Sequence, residues 1–289
     1  MAPIFNKAKT RKGKKFLENR APKVTENDKN ALLVKGGKTN ETLQNFLNDV
    51  YALKKPLVEK LKYRNPIHLF DDETFICKMT SKYDSSLFCM VSNSKKRPNT
   101  VCLGRMFDYL LLDMVDLKLT NYIPQSKFKN GGVTVGTKPC IVLNGSLFEV
   151  DDGFKRVGNM FVDFFRGAVV DTVRLQGLEL VISFTATASG KILMRTYRSV
   201  LKKSTGSSPR VELVEHGPHA DFEMVRTKFA SEHLMKKTTK KPKVVVNKMR
   251  KNTSLDPFET KLARIHVGKQ DLDTIQTRKV KALKKKKAA

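Results

Sequence analysis

The positive charge of this chain is concentrated at its two ends. Residues 1–29 contain 9 Lys and Arg against 3 Asp and Glu, and residues 231–289 contain 18 against 5. The 201 residues between them contain 29 basic and 20 acidic side chains, which is close to an ordinary balance. Segments with such an excess of charge cannot bury enough apolar surface to offset the entropy of ordering. The sequence therefore predicts a folded region, residues 30–235, between a basic arm (1–29) and a basic tail (236–289), each disordered or only locally helical when alone.

The remaining composition indicates a soluble intracellular protein with its own core. A chain of 289 residues with 40% hydrophobic side chains can fill such a core. No run approaches the ~20 apolar residues that cross a bilayer, and the first 20 residues contain no apolar segment of a signal peptide. The cysteines are too widely spaced for metal-binding pairs, so we expect reduced thiols in the core at Cys77, Cys89, Cys102 and Cys140.

The formal net charge of +28 indicates a polyanionic partner. A single lysine run is as compatible with solubility or nuclear import as with binding. Two basic arms and a basic middle favour a polyphosphate, because each neutralised phosphate releases a condensed counterion. An anionic membrane would require an apolar helical face or a lipidation site beside the basic runs, and neither is present at the ends. We therefore expect no membrane partner.

Hydrophobic spacing predicts helices and strands in alternation. Two amphipathic helices are predicted, over residues 40–54 with Asn40 as N-cap and over about 153–166 with Gly167 in the left-handed position that ends it. The segment 109–119 fits either period, and Ser231 is a candidate cap of a short helix. Strands are predicted at Thr74–Met79, Leu87–Ser92, Thr100–Phe107, Cys140–Leu143, Val169–Leu175 and Arg210–Glu215, with two more around the Ala-Ser-Gly turn at 188–190. Because helix and strands follow each other twice, two similar α+β halves of about 100 residues are indicated, with a boundary near 130–138.

Motifs of catalysis and of metal binding are incomplete. The segment "KGGKT" at 35–39 is not a P-loop, because Leu32 stands where that motif needs its first glycine. It is interpreted as a turn before a helix N-terminus, which could still hold an RNA phosphate. The "HGPH" segment with His216 and His219 is interpreted as a polar Gly/Pro loop rather than a metal site. No nucleophile and base stand at a recognisable spacing. The sequence thus predicts a protein that is not an enzyme and has neither metal nor cofactor.

The segment "SNSKKRPNTVCLGR" at 92–105 carries the clearest chemistry. It places Lys95, Lys96 and Arg97 on a tight Ser/Asn/Pro turn between two predicted strands, with Arg105 near the end of the second. A rigid loop that presents three cations is suited to binding phosphates.

With "MFDYLLLDM" after it, this stretch resembles the Brix-domain family of ribosome assembly factors. Further segments match that family in order and spacing: "GTKPCIVLNG" at 136–145, "VDFFRG" at 162–167, "LQGLELVISFTATASGKILMRTYRSVLKKS" at 175–204, "PRVELVEHGP" at 209–218 and "ARIHVGKQDL" at 263–272. The resemblance covers residues 30–287. It implies an α+β Brix domain whose two related halves resemble anticodon-binding domains.

The resemblance also implies a function, through a branch of the family that acts on the large subunit. Members of that branch are non-catalytic factors of the nucleus and nucleolus. They recruit 5S rRNA and its ribosomal proteins into the pre-60S particle and support rRNA maturation, as heterodimers with the regulator of ribosome synthesis protein. The resemblance assigns RNA binding to the basic turn with Lys95, Lys96, Arg97 and Arg105, and to the tail with Arg264, Lys269, Arg278 and Lys279. Four further basic residues are predicted to bind RNA: Lys138, Lys202, Lys203 and Arg210. Two alternatives stay open: a structural ribosomal protein, and an accessory subunit of an RNA-processing enzyme.

Overall fold

The computed structural model describes residues 8–21, 26–129, 132–170, 172–204, 206, 209–240, 251–258 and 260–271. The chain divides into two compact units, Met1–Lys240 and Lys241–Ala289. The first unit contains α1 (Arg11–Arg20), β1 (Ala31–Gly36), α2 (Glu41–Lys54), β2 (Val58–Asn65), α3 (Thr74–Tyr83), β3 (Leu87–Ser92), β4 (Thr100–Phe107), β5 (Leu110–Ile123), β6 (Cys140–Asn144), α4 (Leu147–Val150), α5 (Asp152–Phe165), β7 (Leu180–Ala186), β8 (Lys191–Lys202), β9 (Arg210–Glu215), β10 (His219–Lys228) and α6 (Glu232–Thr238). The second contains the antiparallel hairpin of β11 (Thr253–Leu255) and β12 (Lys261–Ala263).

One mixed sheet runs through the first unit in the order β2-β1-β3-β4-β5-β10-β8-β7-β6, with β9 paired to the outer part of β8. Its two halves repeat one pattern. In the first, β1 and α2 precede β3, which lies parallel to β1 and starts an antiparallel series to β5. In the second, β6 and α5 precede β7, which lies parallel to β6 and starts an antiparallel series to β10. The expected α+β fold of two related halves is confirmed, and the antiparallel pair β5 and β10 joins them.

The main core lies on one face of this sheet. Helices α2 and α5 both pack on that face, where Phe46 and Phe161 approach Phe222 of β10 with ring centroids 5.8 and 6.4 Å away. Phe161 also stacks on Phe184 of β7 at 4.4 Å. Because both helices share one core, burial of their apolar faces holds the two halves together.

The opposite face of the sheet is covered differently in the two halves. In the first half, Ile76 of α3 packs there in a second core with Leu32, Phe88 and Met114. In the second half, β7 alternates fully buried residues toward α5 with half-buried ones on the other side. Among the described residues, no helix takes the place of α3 there, so this face of the second half is only partly shielded from solvent.

Several sequence predictions are confirmed by these elements. The side chain of Asn40 accepts a hydrogen bond from the Leu43 amide at 3.0 Å and caps α2 as expected. Helix α5 is also found, and Gly167 beyond it has a φ of +66°. The predicted strands 87–92, 100–107 and 210–215 coincide with β3, β4 and β9, and the segment that fitted either period forms β5.

Two predicted strands are wrong. Thr74–Met79 is the beginning of helix α3, because the Asp72 carboxylate accepts from the Thr74 amide at 2.8 Å and Ile76 packs on the sheet. At Val169–Leu175 the described residues form no strand, and a single 3₁₀ turn follows at Leu175–Gly177. A short apolar run fits both the 3.6-residue period of a helix and the two-residue period of a strand, so only the element that packs against it decides between them.

The "HGPH" segment, predicted to be a polar Gly/Pro loop, has both of its histidines inside the protein. His216 and His219 are buried, and His219 begins β10. Gly217 has a φ of +71°, and an added Cβ would approach the Phe128 ring to 2.3 Å, so the turn is tightly packed. Among the cysteines, Cys89 and Cys102 are buried as expected, whereas Cys140 at the start of β6 is exposed.

Candidate nucleic-acid interface

The basic turn, residues 93–99, connects β3 to β4 and has a fixed backbone. The amide of Ser94 donates to the carbonyl of Arg97 at 3.0 Å, and the amide of Arg97 donates back at 3.2 Å. Asn99 then takes a left-handed conformation with a φ of +49° before β4 begins. Lys95 and Lys96 are exposed at the tip, while Arg97 is half-buried. Because the backbone is closed by these bonds, the cations project from a preformed scaffold.

The "KGGKT" segment lies against the basic turn. The amide of Asn93 donates to the carbonyl of Lys38 at 2.8 Å, and Asn40 Nδ2 donates to Asn99 Oδ1 at 2.6 Å. Asn40 is therefore both the cap of α2 and a tie to the turn. This contact brings a further lysine, Lys38, beside the three cations of the turn.

The turn borders two adjoining clefts on the side of the sheet where α3 packs. One has a volume of about 380 Å³ and is lined by the three cations of the turn together with the segment between β2 and α3. The other, of about 700 Å³, lies between the turn, Lys38 and the same segment. The basic turn is thus the wall of a concave surface rather than an isolated loop.

A second group of cations lies at the outer part of the β8–β9 hairpin. Lys202 and Arg210 pair directly across the two strands, and Lys203 follows at the end of β8. All three side chains are exposed. Glu212 of β9 forms ion pairs with two of them: its carboxylate oxygens lie 2.6 Å from Lys202 Nζ and 3.7 Å from Arg210 NH2. One carboxylate therefore neutralises only part of this group.

Sheet register gives the two basic groups the same direction, although the turn is level with the start of β8 and Lys202 is at the far end of that strand. Thr100 follows the basic turn and pairs with Lys118 of β5. Lys118 pairs with Glu223 of β10, and Glu223 pairs with Lys191 at the start of β8. Each of these pairings is antiparallel, so β8 runs in the same direction as β3. The turn after β3 and the outer end of β8 therefore project the same way.

Comparison with known proteins identifies the family of this chain. A Brix domain model matches residues 36–226. A "Ribosome production factor 2 homolog" of Caenorhabditis elegans is 53% identical over 279 residues, covering 96% of this chain and 94% of the relative. The chain belongs to the ribosome production factor 2 branch of the Brix-domain family. It is a ribosome biogenesis factor with a Brix domain.

The chain is also similar to a human relative and to a solved structure. A human "Ribosome production factor 2 homolog" is 46% identical over 254 residues, covering 88% of this chain and 83% of the relative. Among solved structures, a probable ribosomal biogenesis protein from Aeropyrum pernix K1 is 9% identical, with a TM-score of 0.43, over 68% of this chain and 99% of that chain.

One predicted RNA-binding residue of the Brix domain must be corrected. Arg105 is 6% exposed, and its guanidinium is occupied within the protein. Its Nε donates to Asp113 at 2.7 Å, and its NH1 donates to Asn159 at 2.7 Å and to Asp163 at 2.9 Å. Arg105 sits on β4 where that strand has passed under α5, so it points into the protein and not toward the turn.

Within the first unit, Lys138 is not part of either group. Lys138 is half-buried, and its ammonium donates to the carbonyls of Arg166 and Ala168 beyond α5. Arg264 and Lys269 are exposed in the second unit, where the Arg264 amide donates to the Asn252 carbonyl at 2.9 Å. Arg278 and Lys279 lie outside the described residues.

Sequence reasoning missed the other side of the smaller cleft. His68 and Phe70, between β2 and α3, line it together with Arg226 of β10. The Arg226 guanidinium lies 3.9 Å from the centre of the Phe70 ring. No local motif connects residues so far apart in sequence, so only the sheet order brings them together.

The described part of the chain contains no cluster of three or more His, Cys, Asp or Glu side chains that could hold a metal ion. None of its helices is long and apolar enough to cross a lipid bilayer.

Proposed function

We propose that this Brix-domain protein is a non-catalytic rRNA-binding factor that brings 5S rRNA, with its ribosomal proteins, into the pre-60S particle and supports rRNA maturation. The observation that carries the proposal is that two groups of cations, at the basic turn and at the outer end of β8, project in the same direction from a single sheet. Lysine and arginine side chains at a protein surface bind phosphates with release of counterions, without reading sequence. We propose that it acts in the nucleolus, within the nucleus, on 5S and large-subunit rRNA.

A protein partner is part of the proposal, and the regulator of ribosome synthesis protein is the partner expected from the family. The partly shielded face of the second half supports it. Where the first half covers this face with α3, the second half leaves Val181 and Tyr197 half-buried and Cys140 exposed, in one row across three strands. Apolar side chains of this kind are stabilised when a partner removes them from water.

The RNA-binding part is tested by the salt dependence of affinity. A complex that neutralises ~8 phosphates should lose affinity with a slope of log K against log salt of about −5 to −7. The measurement is fluorescence anisotropy of labelled 5S rRNA with the full chain. A slope shallower than about −2 would mean that phosphates contribute little and would contradict the proposal.

The biological part is tested by crosslinking in cells, followed by sequencing of bound RNA and sedimentation of the particles. We expect crosslinks to 5S and large-subunit rRNA in nuclear pre-60S fractions. Co-sedimentation with mature cytosolic ribosomes would instead favour a structural ribosomal protein. Co-purification with an rRNA-processing activity that depends on the chain would favour an accessory subunit of an enzyme.

A further inference from the structure

The 380 Å³ cleft beside the basic turn has a composition that phosphate binding alone does not explain. Buried Met90 of β3, Cys102 of β4 and Leu69 make part of its lining apolar, beside polar side chains of the same strands such as Ser92 and Thr100. A surface that contacts only the backbone of an RNA duplex needs cations and no apolar depression. The volume lies in the ~300–1,000 Å³ range that is typical of pockets for small organic groups.

The Phe70 ring and the Arg226 guanidinium, two flat groups at the wall of this cleft, are held in place. The Arg226 guanidinium packs on the Phe70 ring at 3.9 Å and donates from Nε and NH2 to Asp116 at 3.0 and 2.5 Å. Asp116 is almost fully buried, so the ion pair fixes the orientation of the guanidinium. His68, on the same wall, is exposed. Aromatic rings and guanidinium planes are the groups on which unpaired bases stack in RNA-binding proteins.

The charges around the cleft are arranged asymmetrically. Lys95, Lys96 and Arg97 occupy the wall formed by the basic turn, whereas Asp71 lies on the opposite segment. The charge of Asp116 is balanced by Arg226. A phosphate is therefore attracted to the side of the turn and repelled from Asp71. A nucleotide fits this arrangement with its phosphates on the turn and its base against the apolar part of the lining.

We propose that this cleft binds one unpaired nucleotide of the RNA, stacking its base against the wall of His68, Phe70 and Arg226. The proposal rests on the proposed function and adds a preference to it. Bases in a duplex are stacked on each other and cannot enter a concave site, whereas a bulged or looped base can. The protein therefore distinguishes an RNA with an exposed base from a regular helix, which the basic turn by itself does not.

The test compares two RNAs on the full chain at one fixed salt concentration. One is a short single strand, and the other is the blunt duplex made from it. The cleft variant is His68→Ala combined with Phe70→Leu, which removes both rings and keeps an apolar side chain at the half-buried position. The matched control is Tyr63→Ala, which removes an aromatic ring of β2 that is 84% exposed and does not line the cleft. Thermal unfolding verifies that all three proteins are folded.

We expect the cleft variant to bind the single strand about tenfold more weakly and the duplex within twofold of the unmodified chain, since one lost base stack accounts for a change of that size. Tyr63→Ala should change neither affinity. In addition, an RNA carrying one 4-thiouridine should crosslink under ultraviolet light to the segment of residues 66–73, as read by mass spectrometry.

Other outcomes separate this inference from the function on which it rests. If the cleft variant weakens both RNAs equally, or neither, the cleft is not a base site although the protein binds RNA. Crosslinks confined to the basic turn or the arms would overturn the inference in the same way. A variant that retains single-strand binding but loses a co-purifying protein would make the cleft a protein site. If the unmodified chain binds neither RNA, the proposed function itself is wrong.

Discussion

Arg105 donates a hydrogen bond from NH1 to Asp163 Oδ2 at 2.9 Å, which joins β4 of the first half to α5 of the second. The same carboxylate accepts from Lys29 at 2.8 Å. Burial would raise the pKa of Asp163, but the hydrogen bonds and charges of Lys29 and Arg105 outweigh it and lower that pKa. The two halves are therefore linked by an ionic cluster as well as by the shared apolar core.

The first prediction concerns this cluster. Arg105→Ala leaves Asp113, which is almost fully buried, without its cation. Removing one partner of a buried ion pair costs about 3–5 kcal/mol, because the remaining charge is left uncompensated. We expect that loss in the free energy of unfolding by urea denaturation. The exposed control Lys96→Ala should stay within about 0.5 kcal/mol. A loss below about 1 kcal/mol for Arg105→Ala would show that the cluster does not stabilise the fold.

The second prediction separates the basic turn from the fold. Replacing Lys95, Lys96 and Arg97 together with Ala should weaken RNA binding and make the salt slope shallower by about 2–3, since each phosphate contact contributes a little under one. The melting temperature should hardly change, because the exposed charges of Lys95 and Lys96 contribute little to stability and Ala keeps the backbone hydrogen bonds of Arg97 that close the turn. A loss of cooperative unfolding would mean that the turn is structural. An unchanged salt slope would remove it from the RNA interface.

The third prediction follows from Lys54 at the end of α2, which is 4% exposed. Burial lowers its pKa to about 8, and the charge of Asp163 opposes that shift. Because the folded pKa lies below the unfolded one, stability falls as the pH drops from about 10 through 8. Lys54→Met should therefore raise the free energy of unfolding at pH 7 by about 1–3 kcal/mol. It should also flatten the pH dependence between 8 and 10, which the exposed control Lys55→Met should leave unchanged.

The fourth prediction concerns the buried histidines. Burial lowers the pKa of both His216 and His219, and nearby Arg198 and Arg195 act in the same direction. A histidine whose pKa is lowered by folding contributes full stability above its unfolded pKa of about 6.5, and that contribution is lost as the pH falls. Thermal unfolding at pH 7.5 and 5.5 should show a lower stability at the acidic pH.

A double variant tests whether these two side chains cause that loss. His216→Gln with His219→Gln should reduce the difference in stability between pH 7.5 and pH 5.5. His68→Gln is the control, because that histidine is exposed. An equal loss of stability at pH 5.5 in the double variant and the unmodified chain would assign the effect to other groups.

The fifth prediction concerns the second unit. Deleting residues 241–289 should leave the cooperative unfolding of the first unit and its binding to the protein partner intact, because the sheet and both cores lie before Lys240. RNA affinity and incorporation of 5S rRNA into precursor particles should fall, since many of the cations are removed. If the truncated protein incorporates 5S rRNA as well as the full chain, the tail acts only in import or solubility.

Features with a local cause could be predicted from the sequence. Helix α2 follows from the Asn40 cap and from apolar side chains at three- and four-residue spacing, and both are observed. Strands β3 and β4 follow from short apolar runs on either side of a Ser/Asn/Pro turn. The three cations of that turn were identified for the same reason: a tight polar turn between strands must lie at the surface.

Features that depend on distant partners could not be predicted. Strand β2 reads as a polar segment, and only its parallel pairing with β1 makes it part of the sheet. The sequence around Arg105 predicts a surface cation, because two of its partners belong to α5, more than fifty residues later in the chain. The wall of the cleft likewise needs Arg226 of the last strand beside Phe70.

By itself, then, the sequence determined the local elements, the surface charge and the family, because caps, turns, periodicity and net charge act over a few residues or over the whole composition. The tertiary structure decided which side chains are buried and which share a site. Burial of a charge or a ring depends on what packs against it, and residues far apart in the chain supply those neighbours.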